Sequence, residues 1–149
     1  MAGQIDIDTR LSAAQAITAT AFSTYVYDLQ VARAIGAGRP LYVQSVVNVA
    51  FTDSGSDSTI TVDLCFSNTK ADVETGGTPT KTQRVGILAA LAAIGDHVEV
   101  EISPVYKYRY MSARYTTTGG DLTTGSITTD IVPQLQNTIH YPVGHTVAS

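Results

Sequence analysis

The chain has no tryptophan, a single cysteine and few charges: Asp, Glu, Lys and Arg make up 15% of its 149 residues. An average domain carries about 25%. The lone Cys65 excludes a disulfide framework and a multi-cysteine zinc site. The longest apolar run, residues 87–94, is about eight residues, against the roughly 20 that span a bilayer, so no membrane segment is expected. Basic residues are scarce, nine against 13 acidic ones, for a net charge of −4. That balance argues against a nucleic-acid partner, which requires a basic face to neutralise phosphates. The N-terminus reads Met-Ala-Gly-Gln-Ile-Asp, with acid where a signal peptide carries basic charge, so synthesis and folding in a cytosol are expected.

What is abundant points to one class. Thr (21 residues), Val (15), Ile (11) and Tyr (8) total 55 of 149. All four favour strands, and Glu/Lys-rich helical segments are missing. Leu41, Val43, Val47, Val49 and Phe51 share one face of an extended segment. Ile60, Val62, Leu64 and Phe66 alternate with Thr59, Thr61, Asp63 and Cys65. The same period of two recurs through Val98, Val100 and Ile102, through Met111, Ala113 and Tyr115, and through Ile127, Thr129 and Ile131. Period two means sheets with one buried face. Tyr25, Tyr27 and Leu29 suggest a further strand. Strand starts near 24, 41, 58, 84, 97, 108 and 125 predict seven or eight strands in one domain. That is a β-sandwich, jelly-roll or immunoglobulin-like. The absence of Trp and of a cysteine pair weakens the antibody type. Turn signals separate the strands. Residues 36–40 precede one, residues 53–57 read as a hairpin loop, and Gly119-Gly120-Asp121 plays the same part before the last.

Other segments are less patterned. Residues 68–83 read as a long polar surface loop. Residues 85–94 fit a buried strand or a short helix, and Gly86 favours strand. Ser12-Ala13-Ala14-Gln15 fits a capping box opening a helix, although the Thr and Ser residues after it could continue as an extended arm. Residues 133–149, with Pro133, Pro142 and Gly144, read as a tail that lies on something. The organisation is thus an N-terminal arm (1–21), a sandwich (22–132) and a C-terminal tail (133–149).

No constellation of residues announces catalysis. Gly36-x-Gly38 lacks a third glycine, a following helix and a Walker lysine, so it reads as a turn. Asp53 and Asp57 could flank a calcium ion, but acids at alternate positions and a distal Glu are missing, so a polar loop tip is preferred. Glu99 and Glu101 share a strand face without a cleft beside them. His97, His140 and His145 lack metal-ligand spacing, and Cys65 reads as an inert thiol. Tyr106, Tyr108 and Tyr110 alternate with Lys107 and Arg109. Such a ribbon can stack on sugars or bases, line an interface, or pack the strand; packing is preferred and an interface comes second. The residues therefore predict a binding or structural protein, with no enzyme activity, cofactor or metal.

Several blocks carry a resemblance. Asp8-Thr9-Arg10-Leu11-Ser12-Ala13-Ala14-Gln15-Ala16, the stretch from Ser23 to Asp28-Leu29, and Ala34-Ile35-Gly36-Ala37-Gly38-Arg39-Pro40-Leu41-Tyr42 resemble the tailed-phage capsid cement proteins of the Bordetella-phage type. So do Arg109-Tyr110-Met111-Ser112-Ala113-Arg114-Tyr115-Thr116, the run from Gly119 to Ile131 with Gly125-Ser126-Ile127, and Tyr141-Pro142-Val143-Gly144-His145-Thr146-Val147. The resemblance covers most of the chain in order, and residues 68–83 depart from it. It implies a jelly-roll cement protein on the outer surface of an icosahedral head. It would oligomerise, as dimer or trimer, and straddle neighbouring major capsid proteins. The expected capsid or oligomer contacts are Ile5, Ile7 and Leu11 in the N-terminal segment, Tyr108 and Tyr110 in the ribbon, and Tyr141 and Val143 in the tail. The alternative from another class is a carbohydrate- or receptor-binding jelly roll with an aromatic platform near residues 106–110.

Overall fold

The alternating apolar residues become nine strands and one 3₁₀ turn in the computed structural model, which describes residues 9–36, 38–89, 91–119 and 122–133. The strands are β1 (Arg10–Ala16), β2 (Ala21–Phe22), β3 (Tyr27–Arg33), β4 (Tyr42–Asp53), β5 (Thr59–Ser67), β6 (Lys81–Leu88), β7 (His97–Glu101), β8 (Tyr108–Thr118) and β9 (Leu122–Val132). One sheet has the order β1-β9-β4-β7. The other has the order β2-β8-β5-β6, and β3 follows β2 along the same edge of β8. All pairings are antiparallel. If β2 and β3 count as one position, the eight positions interleave between two four-position sheets, which is the double Greek key of a jelly roll.

This topology corrects two expectations. The loop at residues 53–57 is not a hairpin, because β4 and β5 lie in different sheets, and β8 and β9 are likewise in different sheets. The hairpin that does exist joins β5 to β6. Its connection is the segment read as a long loop, and it is shorter and more ordered than expected. It makes a 3₁₀ turn, Lys70–Val73, that buries Val73 completely, and β6 begins already at Lys81. Strand β6 ends at Leu88, so the extended reading of residues 85–94 holds only for its first part.

The N-terminal arm is also shorter than residues 1–21. Arg10 to Ala16 pair with β9, Arg10 opposite Asp130 and Ala16 opposite Ser126. The capping-box residues Ser12 and Gln15 do bond, Ser12 Oγ to Gln15 Oε1 at 2.8 Å, but within an irregular strand in which Ala14 has φ 45°. Tertiary pairing overrides the local helix signal, because β1 completes a sheet edge and buries Leu11 and Ile17.

The core lies between the sheets. Val43, Val47 and Phe51 of β4 and Ile127 of β9 face Ile60, Val62 and Leu64 of β5 and Met111 and Ala113 of β8. The fit is tight enough to need glycine at two positions. A Cβ on Gly125, whose φ is +135°, would strike the Phe51 ring, and one on Gly86 would come within 2.6 Å of Val98 where β6 approaches β7.

A chain of hydroxyls crosses this core. Ser45 Oγ meets Thr129 Oγ1 at 2.7 Å, Thr129 meets the Tyr115 hydroxyl at 2.6 Å, and Tyr115 meets Ser12 Oγ at 2.7 Å. Its direction is fixed at one end. Gln15 Oε1 accepts the Thr24 backbone N–H at 2.9 Å, while Gln15 Nε2 donates to the Phe22 carbonyl at 2.8 Å. Ser12 must therefore donate to Gln15, Tyr115 to Ser12, Thr129 to Tyr115 and Ser45 to Thr129. Burial pushes the Tyr115 hydroxyl up to about 12, so it stays a donor at any ordinary pH.

Two glutamines close the open sides of the sandwich. Gln15 bridges β1 to β2, and Tyr25 N–H adds a bond to the Leu11 carbonyl at 2.9 Å. On the opposite side Gln83 Nε2 donates to the Glu101 carbonyl at 2.7 Å and Gln83 Oε1 accepts from Ser103 N–H at 3.0 Å, bridging β6 to β7. Both clips occupy edge-strand groups that would otherwise be free to pair with another chain. Replacing Tyr115 with Phe should cost about 1–3 kcal/mol in a denaturant melt, because Thr129 and Ser12 lose their shared partner inside the core. An unchanged midpoint would remove the chain from the account.

Candidate interface surfaces

The aromatic ribbon lies where β8 begins. Phe66 of β5, 2% exposed, meets the Tyr106 ring edge-on at 5.3 Å and the tilted Tyr108 ring at 6.1 Å. Tyr106 and Tyr108 pack against the end of the core and keep part of their surface outside. Lys81 Nζ sits 5.3 Å from the centre of the Tyr106 ring, and the Arg109 guanidinium 4.8 Å from that of Tyr110. Arg109 is itself held by Asp28 of β3 through two bonds of 2.8 and 3.0 Å. That hydrogen-bonded guanidinium holds the Asp28 carboxyl below its ordinary value and raises Arg109 in turn. The ribbon is thus strand packing with a cationic overlay. Each of these tyrosines gives ring surface to a neighbour in the same chain.

Of the predicted contacts, Tyr108 and Tyr110 are half-buried at this end of the sandwich. Leu11 is a correction: it is 0% exposed inside the core, because β1 turns its side chain between the sheets, so it offers no surface to a partner. Ile5, Ile7, Tyr141 and Val143 lie outside the described residues, as do His140 and His145.

Asp53 accepts backbone N–H bonds from Gly55, Asp57 and Ser58 at 3.1, 2.8 and 2.7 Å. It organises the β4–β5 connection as a polar tip, and these donors, Ser58 N–H first, hold its carboxyl below the ordinary value. Glu99 and Glu101 lie on the exposed face of β7. Burial pushes the Cys65 thiol up to about 12, which keeps it from forming a nucleophilic thiolate. Gly36 takes φ 80° in the turn before β4, in keeping with the turn reading.

Two open grooves mark the surface. One, of about 770 Å³, runs between Phe22, Tyr25 and Gln15 on one side and Lys70, Glu74 and Thr75 on the other. Its charged groups, Lys70 and Glu74, pair with each other at 3.2 Å. The second, of about 590 Å³, is lined by Ile87, Ile94, Asp96 and His97. The connection after β6 here exposes Leu91 at 58% and Ile94 at 71%. Sequence reasoning missed this surface, because an apolar run reads as core. The signal against that reading was the Gly95-Asp96 turn just beyond, which lets residues 89–96 leave the sheet. Val105, 72% exposed between β7 and β8, was also missed.

The described residues fold as a jelly roll that carries an aromatic ribbon, two open grooves and exposed apolar side chains. The family model Bbp16 matches residues 11–131, the sandwich from β1 to β9, and the chain belongs to the Bbp16 family. It is a phage structural protein, associated with the virion. No curated protein sequence matches it.

Asp28 and Asp53 carry a pH prediction. Both are held below 3.8 in the folded state, so their contribution is present above that pH and lost as pH falls through their lowered values. Thermal melts should show the midpoint dropping below about pH 4, and Asp53→Asn should flatten that drop while lowering the midpoint at neutral pH. Identical acid profiles for the two proteins would contradict the assignment.

Proposed function

We propose that this chain is a capsid cement, or decoration, protein. It binds the outside of the mature icosahedral head and bridges neighbouring major capsid proteins as a homo-oligomer, dimer or trimer. It acts without catalysis, metal or cofactor. The observation that carries the reading is the Bbp16 match across the whole jelly roll. The low charge supports it, as does the exposed Val105 beside the Tyr108 end, because both suit a surface partly covered by partners.

The mechanism is linkage. Packaged DNA pushes the shell outward and strains its seams. A protein that binds only the expanded lattice stabilises that lattice by mass action. Each contact can be modest, because an oligomer gripping several subunits gains effective concentration. The carbohydrate- or receptor-binding alternative needs open aromatic faces, and Tyr106 and Tyr110 already lie under Lys81 and Arg109.

The test is co-sedimentation of the purified protein with cognate expanded heads and with unexpanded procapsids. Saturable binding to expanded heads alone is expected. Removing residues 1–8 leaves β1 intact and should weaken that binding with the thermal midpoint preserved, as should removing residues 134–149. Binding to neither particle, together with binding to a glycan array, would overturn the cement reading.

A further inference from the structure

The sandwich has two chemically different ends. At one end lie the connections 17–20, 54–58 and 91–96, with Gly119 just past β8. Their described residues include no Lys or Arg and carry Asp57 and Asp96. At the other end β3 finishes and β4, β6 and β8 start. The register ties this end together. Arg33 is opposite Tyr108, Lys81 is opposite Phe66, and Tyr42 is opposite both Glu101 and Val132.

The unpaired cations gather at this second end. The chain has nine Lys and Arg. Five have carboxylate partners: Arg10 with Asp130, Lys70 with Glu74, Arg84 and Arg114 with Asp63, and Arg109 with Asp28. The remaining four, 9 − 5, are Arg33, Arg39, Lys81 and Lys107. All are exposed, and none makes an ion pair among the described residues. Arg33 ends β3, Arg39 lies in the connection to β4, Lys81 starts β6, and Lys107 stands between Tyr106 and Tyr108. A protein of net charge −4 therefore keeps its four unpaired cations at one end, alongside the carboxylates Asp72, Glu99 and Glu101, with Tyr108 and the exposed Val105 among the charges.

Both ends of the described chain lie here as well. Arg10 opens β1 opposite Asp130, two residues before β9 finishes at Val132. The first and last described residues, Thr9 and Pro133, thus flank one corner of the sandwich, which the 2.8 Å Arg10–Asp130 ion pair closes.

We infer that this end, with Arg33, Arg39, Lys81 and Lys107 around Tyr108 and Val105, faces the shell and recognises an acidic protein surface on it. The inference rests on the cement reading and adds which end docks and to what chemistry. Arg and Tyr in a partly apolar setting are residues that carry interface energy. Exposed cations steer encounter with an acidic partner and reject a basic one. The opposite end, with no cations among its described residues and the carboxylates Asp57 and Asp96, suits the solvent side.

The test compares three proteins on expanded heads. The triple variant Arg33→Gln/Arg39→Gln/Lys107→Gln should keep the wild-type melting midpoint and bind at least about tenfold more weakly at low salt. Its binding should also depend less on salt, because screened exposed charges are what it lacks. Arg33→Lys/Arg39→Lys, which keeps the charge, should bind nearly as the wild type does. The far-end variant Leu91→Ser/Ile94→Ser should bind unchanged. Unchanged binding by the triple variant, or loss confined to the far-end variant, overturns the inference and leaves the cement reading standing. Wild-type protein that binds no heads overturns both. Saturable wild-type binding to naked DNA, abolished in the triple variant, would assign the cations to nucleic acid and overturn the inference.

Discussion

The two sheets exchange strands at almost every connection, so neither sheet can form from a local piece of chain. β4 finds β9 and β7, and β8 finds β5, β2 and β3, across long stretches of sequence. Such non-local pairing costs loop entropy before it returns contact energy. Once made, it has to be held in one register, and the hydroxyl chain from Ser45 through Thr129, Tyr115 and Ser12 to Gln15 does that. It joins β4, β9, β8 and β1 inside the core, and Gln15 carries it out to β2. A one-residue slip in any of these strands would turn a buried hydroxyl away from its partner. The surfaces at both ends depend on that register.

Closing the sandwich has a further consequence. A jelly roll has edges, and edges recruit other strands. Gln15 and Gln83 cap the two sides, while the charged face of β7 and the irregular path of β3, in which Gln30 takes φ 68°, discourage pairing elsewhere. The ends of the sandwich, rather than its strand edges, are then the surfaces left open for side-chain contacts.

The sandwich class was legible because alternation survives in β4, β5, β7, β8 and β9, each with an apolar face and a Thr- or charge-bearing one. Residues 10–22 were not legible. Their apolar residues are few, and Ser12 and Gln15 carry a helix signal that only the pairing with β9 overrides. The order of strands was hidden for a related reason: a polar turn between two strands looks the same whether the chain stays in its sheet or crosses to the other. Leu11 was misplaced by its nearness to the terminus. The aromatic end of the sandwich was visible in part, since Tyr108 and Tyr110 stood out. The grouping of Arg33, Arg39, Lys81 and Lys107 exists only once four distant segments are folded together.

The most direct test of the account is the structure of the decorated head by electron cryomicroscopy. The account predicts jelly-roll density on the outer surface at capsomer seams. The connections 34–41 and 102–107 should lie against the shell, and the connections 54–58 and 89–96 should point to solvent. A sandwich seated by residues 89–96, or heads that carry no such density when the protein is present, would contradict it.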